Sequence, residues 1–223
     1  MKRALILAAS ALLIALGCWC GRRYYREKVL PEKRLDEANE KQLQLFRDVK
    51  PGVHIPEESQ NGSTEAAECD PLEDAEAVNS TVAGWLTVPG THIDYPVCQA
   101  EDNDFYLHNG FDGKYNHELG CPFLDYRCEP DFSGFNSIVY AHHMTRRRMF
   151  ADIALYKEEA FLRAHPSGTL TLHDGVHDIR FFAYLSVPGN APAYHTVFVT
   201  DSERQEYLDY LLDTAAYCTL EAA

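Results

Sequence analysis

From Trp85 onward the chain is cut into short apolar runs by turn residues, and that spacing restricts its fold more than any other feature. Trp85-Leu-Thr-Val88 alternates and stops at Pro89-Gly90, a strand followed by a turn. Further short strands are predicted at Ile93–Val97, Ser137–Ala141 and Gly168–Leu172, with a long aromatic one at Asp178–Val187. Helical spacing is confined to Met149–Tyr156, Glu158–His165 and Ser202–Tyr217, after a short helix over Glu73–Ala83. Many short strands with few helices predict a mostly-β barrel or sandwich with helices inserted in its loops. No internal repeat is present.

The amino-terminal third differs. Ala4 to Cys20 is a nearly unbroken apolar run preceded by Lys2 and Arg3. At about 1.5 Å per residue it spans roughly 25 Å, just under the ~30 Å of a bilayer core. It lacks a clear small-x-small cleavage site, so residues 1–21 read as an uncleaved signal anchor rather than a removed signal peptide. Ala15-Leu-Gly-Cys18 bears a faint likeness to a lipidation site. Residues 22–72 read as a charged helix over Pro31–Lys50, with Leu35, Ala38, Leu43 and Phe46 at helical spacing, followed by a linker. Residues 73–223 form the folded domain. The positive-inside rule alone would keep the carboxyl side cytoplasmic, because Arg22, Arg23, Arg26 and Lys28 follow the apolar run.

A formal charge of −14 argues against a nucleic-acid partner, which calls for a basic face. Five of the seven cysteines lie beyond the apolar run and form no CxxC pair, so buried thiols with one disulfide at most are expected. Cys121 and Cys128 near His117 can be drawn as a zinc site, but the spacing is irregular; no metal or cofactor is expected. Neither is there a calcium-loop pattern.

The candidate chemistry centres on Asn136-Ser-Ile-Val-Tyr-Ala-His-His-Met144. Side chains alternate along a strand, so His142 shares a face with Ile138 and Tyr140, and His143 points the other way. A histidine at a strand end exchanges protons near neutral pH, although on this feature alone a hydrogen-bonded surface pair is the simpler reading.

The neighbouring motifs change that weighting. Gly84-Trp-Leu-Thr-Val-Pro-Gly-Thr-His-Ile-Asp-Tyr-Pro-Val97 is followed by Asp102-Asn-Asp-Phe-Tyr-Leu107, Phe111-Asp-Gly113 and Phe123-Leu-Asp-Tyr-Arg127. The histidine segment and Met149-Phe150 come next. This ordered series, over roughly Glu73–Tyr217, resembles the class B sortases, cysteine transpeptidases of Gram-positive cell surfaces. The resemblance implies a closed β-barrel with inserted helices and a helical amino-terminal extension, on the outer side of the cell membrane behind a single-pass anchor. It makes His142 the catalytic histidine, with Ala141 where the family has glycine. It also puts Asn103 and Leu107 in the groove for a sorting-signal peptide, while Asp125 and Tyr126 support the fold. In the implied reaction a cysteine thiolate attacks a threonine carbonyl of the sorting signal, the histidine protonates the departing amine, and an arginine steadies the oxyanion. A cell-wall amine then takes the peptide from the thioester.

One departure is plain. The family's nucleophile follows a Thr-Leu-x-Thr-Cys strand, with the arginine on the next strand, and neither pattern is present. Cys218, 218 − 142 = 76 residues after the histidine, ends a helical pattern and reads as a loop residue. The expectation is a sortase domain lacking its last strands, without transpeptidase activity as written. A sortase-like protein that binds sorting peptides or cell wall without catalysis is the alternative.

Overall fold

A computed structural model describes residues 18–52, 70–116 and 119–219. Most of the expected anchor, the linker between residues 53 and 69, and His117 lie outside the described residues. Among the described residues no helix is long and apolar enough to cross a membrane. The chain divides into two compact units, Met1–Leu43 and Gln44–Ala223. The described part of the first is helical: a π-helical turn at Tyr25–Val29 runs into α1, Leu30–Val49. The last turn of α1 belongs to the second unit. There Phe46, 3% exposed, sets its ring edge-on to Trp85, Tyr95 and Phe111 at centroid distances of 6.1, 5.7 and 5.8 Å. Each such aromatic pair contributes about 0.5–1.5 kcal/mol beyond its burial.

Six strands form one sheet: β1 Val82–Thr87, β2 Asp94–Gln99, β3 Phe123–Leu124, β4 Val139–Tyr140, β5 Ser167–Leu172 and β6 Gly175–Arg180. Their order is β4-β3-β2-β1-β5-β6. β1 and β2 are central and covered on both faces, which is why Val82–Trp85 and Tyr95–Cys98 are buried in unbroken runs rather than in alternation. On one side Ala83, Val97, Leu124 and Cys128 pack with Leu86, Phe132 and Val139. The remaining α-helices among the described residues are α2 Glu73–Val78, which stops short of the expected Ala83, α3 Phe105–His108, α4 Glu159–Ala164 and α5 Asp201–Thr214; the helix expected over Met149–Tyr156 is a 3-10 helix, Phe150–Lys157.

Strands with helices set in their connections match the sequence expectation, but the architecture is mixed rather than mostly β, and two further points differ. Among the described residues the sheet is open and does not close into a barrel. β4 offers two paired residues, after which the chain turns at His142 towards α3, and among the described residues β6 pairs with β5 alone. The expected fifth strand over Asp178–Val187 is broken. It leaves β5 after Arg180, where Phe181 N donates to Pro166 O at 2.7 Å, and Ala183–Tyr184 (β7) pairs instead with Tyr217–Cys218 (β8) in a separate two-stranded sheet.

All neighbouring pairs in the large sheet are antiparallel except β2–β3. A parallel pair requires a crossover. Residues 100–122 supply it, with α3 inside. β3 then lies antiparallel to β4, with Phe123 opposite Tyr140. His142, two residues past Tyr140, therefore comes level with the end of the crossover.

Candidate active site

The carboxyl end of α3 explains why the crossover holds a histidine. A helix leaves its last four carbonyls without intrahelical partners, and buried ones must find donors elsewhere. In α3 each finds one. Phe105 O accepts from Asn109 Nδ2 at 2.7 Å, Tyr106 O from Cys121 N at 3.0 Å, and His108 O from Asn116 N at 2.8 Å. Leu107 O faces His142 Nε2 at 2.9 Å. A carbonyl only accepts, so Nε2 carries the hydrogen. In the neutral ring Nδ1 is then the nitrogen that carries the acceptor lone pair. Sequence reasoning singled out Leu107 and His142, and the fold brings them together through the backbone of one and the ring of the other.

Gly120 makes this approach possible. Its φ is +60°, and a Cβ there would lie 2.6 Å from Tyr106 O, 3.0 Å from Leu107 O and 3.2 Å from His142 Cδ2. Nothing in the local sequence marked this glycine, because its neighbours come from segments distant along the chain. On its other side the His142 backbone is held by Phe150, whose amide donates to His142 O at 3.1 Å. His143, exposed, forms a β-bridge with Met149.

The loop between those contacts is strained. Arg146, Arg147 and Met149 have φ of 56°, 56° and 51°, a region that costs non-glycine residues about 1–3 kcal/mol each. Asp152, 1% exposed, anchors it. Oδ1 accepts from Arg147 Nε at 2.6 Å, and Oδ2 accepts from Arg147 Nη2 at 2.9 Å and from the amide of His92 at 2.7 Å. Burial alone would raise this carboxyl, but the Arg147 and His92 bonds outweigh it and hold it at about 2.

Asn103 lies instead on a second buried carboxylate, Asp125, which is fully shielded at 0% exposure. Oδ1 accepts from the amide and Nε of Arg127, both at 2.9 Å; Oδ2 accepts from Arg127 Nη2 at 2.7 Å, Asn103 Nδ2 at 3.0 Å and Tyr140 OH at 3.0 Å. Burial works to raise this acid too, and these donors hold it well below the usual carboxylate range. Asn103 Oδ1 also accepts from the Tyr126 amide at 3.1 Å, so the side chain is committed to the fold on both sides. Asp125 thereby joins the crossover (Asn103), β4 (Tyr140) and, through Arg127, a distant loop. Tyr194 stacks on Tyr140 at 6.2 Å, and Asn136 Nδ2 donates to His195 O at 2.7 Å, so that loop is fastened to the segment that ends in His142.

Cys218 stands in β8 opposite Ala183, in the two-stranded sheet. Cys121 and Cys128 do not converge as a zinc site would require: Cys121 faces Cys98, whereas Cys128 Sγ points to Asn136 O at 3.6 Å. At the surface, Asp70, Glu76 and His173 bring ligand atoms within 4.8 Å of one another, with Asp70 Oδ2 and His173 Nδ1 paired at 2.8 Å.

No family model matches the chain. It is 33% identical over 150 residues to sortase B of Listeria monocytogenes, which covers 66% of the chain and 60% of that relative. With sortase B of Staphylococcus aureus it shares 28% over 138 residues, covering 62% and 56%. The chain thus spans less than two thirds of the length of these curated relatives. Among solved structures, Listeria sortase B is similar at a TM-score of 0.62 and 31% identity, covering 68% of this chain and 87% of that one. A Bacillus anthracis sortase B gives a TM-score of 0.70 at 22% identity, covering 85% of each, a likeness of fold. Sequence and fold agree over the same domain, and the chain belongs to the class B sortase family.

Proposed function

We propose that this domain serves the class B sortase reaction, a cysteine transpeptidation at the threonine of a sorting signal. It binds the sorting-signal peptide beside α3, and His142 moves the proton at Nδ1. The observation that carries this reading is the His142 Nε2–Leu107 O bond, which fixes one nitrogen as donor and leaves the other available. When a thiolate attacks the threonine carbonyl and the peptide C–N bond breaks, the departing amine needs a proton, and the protonated histidine supplies it. The neutral ring then accepts a proton from the incoming cell-wall amine as the thioester is exchanged. Leu107 borders this place directly; Asn103 shapes it by holding the crossover on Asp125. In the same reading, the apolar run Ala4–Cys20 anchors the protein and its domain works outside the membrane.

The sequence contains no Thr-Leu-x-Thr-Cys run. The alternative reading is a sortase-like domain that recognises the peptide without turnover. A fluorescent Asn-Pro-x-Thr peptide titrated onto the full chain in mild detergent tests both readings, with a diglycine acceptor present. Both readings expect saturable binding that shifts the His142 imidazole signals. A threonine–amine product would support the transpeptidation, its absence would favour peptide recognition alone, and absence of binding would refute both.

A further inference from the structure

Cys98, on β2, and Cys121, next to Gly120, are both buried, and their sulfurs stand 3.9 Å apart. The backbone fixes this separation. Cys98 N donates to Pro122 O at 3.0 Å, and Cys121 N donates to Tyr106 O at 3.0 Å. The third buried thiol, Cys128, points elsewhere, to Asn136 O. A disulfide needs its sulfurs about 2.05 Å apart. Each sulfur sits about 1.8 Å from its Cβ, so turning both χ1 angles by about 30° swings each by roughly 0.9 Å and closes the gap. A rotation of this size costs about 0.5–1.5 kcal/mol per side chain and needs no large backbone movement.

We propose that Cys98 and Cys121 are a disulfide site that staples the central strand β2 to the end of the crossover, one residue after Gly120. The oxidant is a small-molecule or protein disulfide. One cysteine thiolate attacks it and releases one thiol; the second cysteine attacks the mixed disulfide, forming the Sγ–Sγ bond and releasing the second thiol. The pair loses two protons and two electrons, and the oxidant gains them. Because both thiols are sealed in the folded domain, the exchange occurs before β2 and β3 close on each other, or during opening, and the packed core then protects the bond. This proposal is independent of the transpeptidase reading.

The site spans a sequence separation of 23. Closing a loop of that length is expected to raise the melting temperature by roughly 5–10 °C. The test refolds the full chain in mild detergent with oxidised and reduced glutathione, blocks remaining thiols under denaturing conditions, and digests with trypsin plus a glutamyl endopeptidase. That digestion puts Cys98 in residues 77–101 and Cys121 in residues 119–127, each apart from every other cysteine. The expected result is a linked pair of these peptides that reductant separates, and a melting temperature that falls on reduction in the native protein but not in C98A. Full blocking of both thiols after refolding, or a link from either to another cysteine, overturns the proposal whether or not C98A folds.

Discussion

Replacing Asp125 by Asn removes one charge and almost no volume, so its effect isolates the buried carboxylate. The carboxylate accepts five hydrogen bonds, from the Arg127 amide, Nε and Nη2, from Asn103 Nδ2 and from Tyr140 OH. A neutral amide offers one oxygen and brings two donors of its own, so at least two of the five lose their acceptor. Hydrogen bonds to a charged group contribute about 1.5–3 kcal/mol each. The Arg127 side chain is 39% exposed, so water takes over part of its share. The loss is then about 3–4 kcal/mol, a large fraction of a typical 5–15 kcal/mol stability. For a domain of this size it lowers the melting temperature by roughly 6–15 °C. Urea unfolding at pH 7, followed by the fluorescence of buried Trp85, measures it.

The pH dependence tests the cause. A carboxyl whose folded pKa is depressed stabilises the fold fully above its unfolded value, near 4, and that contribution fades as pH falls towards the folded value. The gap between native and D125N should therefore narrow by up to about 1.4 kcal/mol per pH unit below pH 4. A gap under 1 kcal/mol at pH 7, or one that stays constant down to pH 3, would refute the hub as an electrostatic clamp.

Three further outcomes follow from the same geometry. Gly120→Ala puts a methyl 2.6 Å from Tyr106 O at a φ of +60°; it should cost about 2–4 kcal/mol and shift the His142 ring signals in NMR spectra, and unchanged spectra would remove Gly120 from the site. Asp152→Asn should release the strained Arg146–Met149 loop, with trypsin cutting there roughly 10–100 times faster at pH 7. Since the Arg147 and His92 bonds hold Asp152 at about 2, that protection in the native protein, read with an acid protease in place of trypsin, should persist down to about pH 4 and fade below it. His142→Gln breaks one hydrogen bond on a half-buried ring, so stability should change by no more than about 1 kcal/mol, while peptide-induced ring signals and any proton transfer are lost; a large stability loss would make His142 structural.

The short strands, the helix over residues 30–49 and the histidine segment were legible because each is a local pattern: period-two alternation, helical spacing, a turn signal at Pro89-Gly90. The family was legible because five such motifs occur in a characteristic order. His142 and Leu107 were both singled out, but the bond between them was not, since it joins a ring to a backbone carbonyl 35 residues away. Gly120 and Asp152 were missed for the same reason. The glycine is required by Tyr106, Leu107 and His142, and the aspartate is buried against Arg147 and His92; no window of neighbouring residues contains those constraints. The single long strand expected over Asp178–Val187 failed because apolar periodicity says that a segment pairs, not with which partner, and here the partner changes from β5 to β8. Local chemistry in the sequence determined which segments become strands and which side chains are able to exchange a proton. Only the parallel β2–β3 crossover, a long-range pairing, decided which nitrogen of His142 is held by Leu107 O.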